Sequence, residues 1–184
     1  MVKIPVGAVF GTEKDFLNYV KSIKFDAFKP RFCVLHATGI DLKSWRTHTM
    51  GERIPNIFAG YKKMGWHSGP HIFIDEISFG IGCPLNVSGV HSPSWNDISF
   101  GIEQAGWYWP GRDVYPESIQ NRAVTAIAAL NKLMGVAADT LKFHYEDSAT
   151  THRGCPCPPA KPGEKPIIDK AVMIELIDKK MKGI

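Results

Sequence analysis

Residues 31–38, RFCVLHAT, constrain this chain more than any other segment. They read as a buried β-strand that stops at Gly39 and carries a histidine at its end. With a period of two, Phe32, Val34 and His36 share a face, so the imidazole emerges where the core stops and a loop begins. The flanking segments alternate in type. Thr12 caps a helix over about residues 13–23, with Phe16, Val20 and Ile23 on one face. Residues near 42–64 give a helix broken around Gly51 to Pro55. HIFID (71–75) and ISFGI (77–81) pair as short strands. ISFGIEQ (98–104) is another, alternating Ile98, Phe100 and Ile102 against Ser99, Gly101 and Glu103. Pro116 opens a long helix with Ile119, Ala123, Ile127, Leu130 and Met134 at helical spacing, stopped by Gly135. A short strand at 141–144 and a closing amphipathic helix at 167–181 complete the order. Strands interleaved with helices predict an α/β fold, a central, mostly mixed β-sheet flanked by helices.

Length and composition narrow the classes. The 184 residues suit one domain around one core, spanning 1–184. Hydrophobic residues at 44% and charged residues at 22% argue against long disorder. The net charge of +4 favours an anionic partner surface but is far from a nucleic-acid balance, so no nucleic-acid partner is expected. No apolar run reaches membrane-spanning length, which predicts a soluble protein without a membrane anchor. The start, MVKIPVGAVFGTEKDF, is interrupted by Pro5 and Gly7 and lacks a clear small-residue cleavage site. It is a poor secretory signal, and synthesis in the cytoplasm without a cleaved export peptide is expected.

Three segments carry residues suited to chemistry. His36 is the first, although a strand-end histidine bonded to backbone is the simpler reading when it is taken alone. The second is FHYEDSATTHRGCPCP (143–158), which offers His144, His152, Cys155 and Cys157, with Glu146 and Asp147 as further oxygen donors. Imidazole plus thiolate is a natural zinc set, and three protein ligands leave a fourth position for water. The alternative is a closed Cys/His site that only holds the loop; the spacing fits no zinc-finger pattern. Cys33 and Cys83 stand alone in apolar segments and read as buried free thiols. The third segment is GVHSPSWNDISFGIEQAG (89–106). Glu103 lies on the polar side of its strand, facing a cleft or simply solvated. His91, Trp95 and Asn96 form a loop of the mixed aromatic and polar character of a sugar-binding rim. In GWYWPG (106–111), Trp107 is expected to pack the end of the sheet, and Trp109 is open between packing and rim.

Taken in order, the strand histidine, GWHSGPHIFID, the HSPSWN-to-GIE strand and FHYEDSATTHRGCP resemble the zinc-dependent N-acetylmuramoyl-L-alanine amidase family. That family includes phage lysozyme-type amidases and peptidoglycan recognition proteins. The resemblance spans roughly residues 30 to 158, and T-T-H-x-x-C-P is its most specific part. It implies an α/β domain with a zinc cleft at one edge and one Zn2+ per chain, held by His36, His144 and Cys155. His152 is the rival ligand, otherwise lining the cleft. Cys157 stands where family members usually have glycine, which leaves open which thiolate binds. Glu103 matches the general base, and Arg153 falls where relatives often carry a catalytic lysine. Pro70 falls in the substrate cleft where some relatives have a tyrosine.

The resemblance further implies hydrolysis of the amide between N-acetylmuramic acid and L-alanine, with peptidoglycan or muropeptides as partner. Glu103 would take a proton from water and pass it to the leaving amine. Arg153, too basic to donate a proton, would stabilise the oxyanion by on the order of 3 kcal/mol. With no wall-binding module expected, the leading setting is a phage or prophage endolysin, released to the cell wall with the help of a holin. The alternatives are a secreted antibacterial effector, a cytoplasmic muropeptide-recycling amidase, a peptidoglycan-binding domain without hydrolysis, and an interaction protein with structural zinc.

Overall fold

The computed structural model describes residues 6–184; the expectation for the start of the chain rests partly on residues 1–5, which lie outside that range. Strand β1 (Val9–Phe10) leads into helix α1 (Glu13–Lys21), where the Thr12 hydroxyl accepts from the Asp15 amide and caps the helix as expected. Then come β2 (Phe32–Ala37), α2 (Leu42–Trp45), α3 (Met50–Lys63), β3 (Ile72–Ile74), β4 (Phe79–Ile81) and β5 (Ser99–Gln104). Helix α4 (Glu117–Met134), β6 (Lys142–Phe143) and α5 (Lys170–Gly183) follow. The result is the expected α/β architecture. Among the described residues, six strands form one mixed sheet in the order β1-β4-β3-β5-β2-β6. β5 runs parallel to β2 and β3, and β2 runs parallel to β6; β4 is antiparallel to β3 and β1.

Register divides the sheet into two faces of different character. Leu35 pairs with Ile102, Ile102 with Ile72, and Ile72 with Ile81, so these four project to one side. That side meets α4 and α1. Phe79, the register partner of Ile74, stacks on Phe16 of α1 with ring centroids 4.2 Å apart. α5 packs in turn on α4. On the other side His36 pairs with Glu103, Glu103 with Phe73, and Phe73 with Gly80. Helix α3 covers the Phe73–Gly80 end of this face, leaving the His36–Glu103 end to loops. Gly80 lets α3 approach, since a Cβ there would lie 2.5 Å from Ile54 Cδ1 and 2.7 Å from Met50 Cγ.

Several element boundaries depart from the sequence expectation. The break near residue 50 falls at residues 46–49, and Pro55 lies inside α3. The Thr49 amide donates to Glu52 Oε2 at 2.7 Å and starts the helix upstream. Pro55, in the second turn, forgoes the one bond an amide there would make to the Gly51 carbonyl. The Leu141–His144 strand shrinks to β6, because His144 enters a 3₁₀ turn, His144–Glu146. The last helix begins at Lys170, set by the Asp169 carboxylate, which accepts from the Ala171 and Val172 amides. Ser99 and Gly101, on the Glu103 side of β5, are buried, because the loop of residues 90–96 folds over that side. Pro116 and Gly135 bound α4 as expected, with Gly135 in the left-handed conformation. Among the described residues, no helix is long and apolar enough to cross a membrane.

Gly80→Ala is expected to destabilise the protein by about 1–3 kcal/mol through overpacking beneath α3. Adding Ile54→Val should recover part of that loss. Urea unfolding midpoints of the single and double variants check this.

Candidate metal centre and cleft

The parallel pairing of β2 with β5 places His36 directly beside Glu103 at the carboxyl ends of the two strands. His36 is buried. Its Nδ1 lies 4.0 Å from Cys155 Sγ and its Nε2 lies 3.1 Å from His91 Nδ1. His144 follows β6, the other neighbour of β2, so its ring arrives 4.3 Å from that of His36. The Thr150 hydroxyl sits 2.8 Å from His144 Nε2. Cys155 returns from the 147–154 loop, and the Ala37 amide donates to its sulfur at 3.4 Å. The ligand atoms of His36, His144 and Cys155 all lie within 4.8 Å of one another.

Two acidic residues weighed as oxygen donors are engaged elsewhere. Asp147 is fully buried; its Oδ2 accepts from Ser92 Oγ at 2.6 Å and the Ser94 amide at 3.0 Å, and its Oδ1 from the Ala149 amide at 2.9 Å. Burial alone would raise its pKa, but these donors hold it at about 2. Asp147 thereby ties the loop after His144 to the loop before β5. Glu146 pairs with Lys170 of α5 at 2.8 Å and accepts from the Phe143 amide at 2.5 Å. Cys157, the second candidate thiolate, is buried with its sulfur 4.0 Å from the Ile168 carbonyl, outside the cluster. Cys33 and Cys83 are buried free thiols, as expected.

The electrostatics follow from burial. Desolvation, then neighbouring His144, His91 and His152, hold His36 well below the ordinary imidazole pKa. Desolvation and His152 bring His144 down to about 4. Burial, and then the Glu103 charge, push the Cys155 thiol up. The two imidazoles are thus neutral, with lone pairs to offer, and a cation between them would draw off the thiol proton. Two neutral imidazoles and one cysteine match the donor chemistry of zinc. Glu103 sits beside them with its carboxyl pushed up to about 8 by burial, and its Oε2 is buried with no hydrogen-bond partner. An orphaned buried carboxyl oxygen is costly and suits a ligand-facing group.

These groups form the floor of a cleft of about 990 Å³. It opens at the edge where the parallel strands end. Pro70, Asn96 and His152 line it. His152 is exposed, its ring centroid 5.6 Å from that of His144, and it is not part of the three-residue cluster. His91 borders the cleft but is buried, bonded to His36 and 3.3 Å from the Ser99 carbonyl. It therefore belongs beneath the floor rather than on the rim. Asn96 Oδ1 accepts from the His91 and Ser92 amides, which shapes this loop. Trp95 does not line the cleft; its ring packs edge-on against Phe32, 5.5 Å between centroids, because the adjacent turn rolls it onto β2. The Arg153 guanidinium borders the cleft and donates to the Asp147 and Ser148 carbonyls at 3.2 and 2.8 Å.

Trp107 departs from expectation by lining the cleft, with the Arg112 guanidinium 4.1 Å from its ring centroid. Trp109 also lines it, half-exposed, and donates to the Gly154 carbonyl at 3.1 Å. Tyr61, Met64 and Trp66, at and just beyond the end of α3, also line the cleft, and sequence reasoning missed them. The cluster of aromatic residues at that helix end was the available signal.

The fold, a mixed sheet flanked by helices, is shared with solved structures of N-acetylmuramoyl-L-alanine amidases. The endolysin N-acetylmuramoyl-L-alanine amidase LysCS from Clostridium intestinale superposes with a TM-score of 0.58 at 23% identity, covering 71% of this chain and 77% of that one. Staphylococcus aureus hydrolase AmiA gives 0.62 at 15% identity over 92% and 89% of the two chains. Drosophila PGRP-LB gives 0.58 at 22% identity over 73% and 78%. At these identities the likeness is one of fold. No family model matches the chain, and no curated protein matches it in sequence.

Gly154→Ala would set a Cβ 2.5 Å from Trp109 Cζ2, so it should displace the indole and quench or shift its fluorescence. Asp147→Ala should cost about 1–3 kcal/mol for each buried donor it strands, read as a lowered denaturation midpoint.

Proposed function

We propose that this chain is a zinc-dependent peptidoglycan hydrolase that cleaves the amide between N-acetylmuramic acid and L-alanine. One observation carries the reading: His36, His144 and Cys155 converge beside the unpartnered carboxyl of Glu103 on the floor of a wide cleft. The fold shared with N-acetylmuramoyl-L-alanine amidases supports the choice of bond. Zinc held by the three residues would supply Lewis acidity toward the amide carbonyl and make water a better nucleophile at neutral pH. Glu103 accepts the proton of the attacking water and returns it to the departing amine. A carboxyl lifted by burial to about 8 lies close to the operating pH, as a group that both takes and gives a proton requires. Arg153, its guanidinium held on two backbone carbonyls, offers a fixed positive charge to the developing oxyanion. His152 and Asn96 present polar groups to the peptide. The aromatic lining, Tyr61, Trp66, Trp107 and Trp109, suits the apolar faces of sugar rings.

The biological setting proposed is an endolysin acting on the cell wall, a reading supported by endolysins among the structural neighbours. Mass spectrometry of sacculi digested by the purified chain tests the bond. Free stem peptides beginning at L-alanine are expected; intact disaccharide peptides would overturn the amidase reading. Glu103→Gln should lower the rate by about 10²–10⁴-fold while zinc content, measured by elemental analysis, stays near one ion per chain.

A further inference from the structure

Four histidines lie outside the proposed ligand set and its rival, and two of them, His71 and His91, are buried side by side. His91 Nε2 faces the Ser99 carbonyl at 3.3 Å and the Ser99 hydroxyl at 3.4 Å. A backbone carbonyl only accepts, and that hydroxyl already donates to the Trp95 carbonyl at 2.7 Å. His91 Nε2 must therefore carry a hydrogen. No carboxylate is among the hydrogen-bond partners of the His91 ring, so the ring is the neutral tautomer and its Nδ1 is an acceptor. The group 3.1 Å from that Nδ1 is His36 Nε2, which must then be the donor. The hydrogen on His36 is fixed on Nε2, and Nδ1, the atom 4.0 Å from Cys155 Sγ, is left with a bare lone pair.

We propose that His91 is a positioning residue that, through the row Ser99–His91–His36, locks His36 with Nδ1 unprotonated and turned toward Cys155 and His144. Ligating histidines commonly donate their second nitrogen to a carbonyl or carboxylate; here an entire imidazole is interposed between ligand and carbonyl. The seat for that imidazole is made by β5. Gly101 lies beneath the His91 ring, and a Cβ there would collide with His91 Cγ. The neighbouring His71 is fixed the same way, its Nδ1 accepting from the Gly101 amide at 3.1 Å and its Nε2 donating to the Val87 carbonyl at 3.0 Å. The row thus stands on backbone groups of rigid strands and short loops, with no mobile side chain at its end.

The consequence for metal affinity rests on the zinc reading above, whereas the hydrogen positions do not. Two measurements on the full chain test them separately. Nitrogen-15 NMR of the histidine side chains, without metal, is expected to show His36, His91 and His71 all protonated at Nε2. Zinc affinity by chelator competition is expected to fall about 10–100-fold in His91→Phe, the range typical for loss of a ligand's outer partner. His91→Asn, whose amide oxygen falls near the position of Nδ1, should restore most of it. A role in packing alone would reverse that order, since Phe keeps the ring volume and Asn does not. Circular dichroism of both variants checks that the fold persists. A hydrogen on His36 Nδ1, or wild-type affinity in His91→Phe, would overturn the proposal. The Nε2 tautomers in a chain that takes up no zinc would uphold the row and overturn the proposed function instead.

Discussion

The in-register parallel pairing of β2 and β5 is the constraint on which the rest depends. It sets His36 and Glu103 side by side, one pair before the strands end. One is an imidazole without a local charge partner and the other a carboxyl with a buried orphan oxygen. That orphan oxygen is costly for a folded chain left to itself, since buried polar groups normally find partners. The sheet can hold them there because its opposite face, packed under α1, α4 and α5, supplies the burial that stabilises the fold. A polar site on one face and apolar packing on the other is a division of labour common to sites built on sheets.

The remaining parts of the site are brought to that pair by loops with their own anchors. Asp147 gathers hydrogen bonds from residues 92, 94 and 149, binding the segment that carries His144 to the segment that carries His91. Trp109 leans on Gly154 and so holds the turn just before Cys155. Ala37, one residue beyond His36, donates its amide to the Cys155 sulfur. A loop of this length would otherwise sample many conformations. Here its functional ends are pinned at each side by groups in the strands or by a buried carboxylate, which is the rigidity a metal or substrate site needs.

Much of this was legible in the chain. Period-two and helical spacing located most elements, and Gly135 and Thr12 marked helix ends through conformations and caps that depend on local chemistry alone. The candidate ligands were also visible, because histidine and cysteine near strand ends are scarce and chemically distinctive. Less legible were roles that depend on which way a side chain turns. His91 and Trp95 read as rim residues, yet one lies beneath the floor against His36 and the other packs on Phe32. Trp107 read as packing and stands in the cleft wall. A loop has no periodicity from which to infer direction.

By itself the sequence determined the α/β alternation, the strand-end position of His36, and the set of donors from which a metal site can be drawn. These follow from local patterns and from side-chain chemistry, which need no knowledge of distant neighbours. Only the tertiary structure decided among those donors. It brought Cys155 within reach of His36 across more than a hundred residues while sending Cys157, two positions on, into the core against Ile168. It also turned Asp147 from a possible ligand into the knot between two loops. Which of two nearby thiols faces a cleft is settled by the path of the backbone through a packed interior, and that path is a property of the whole fold.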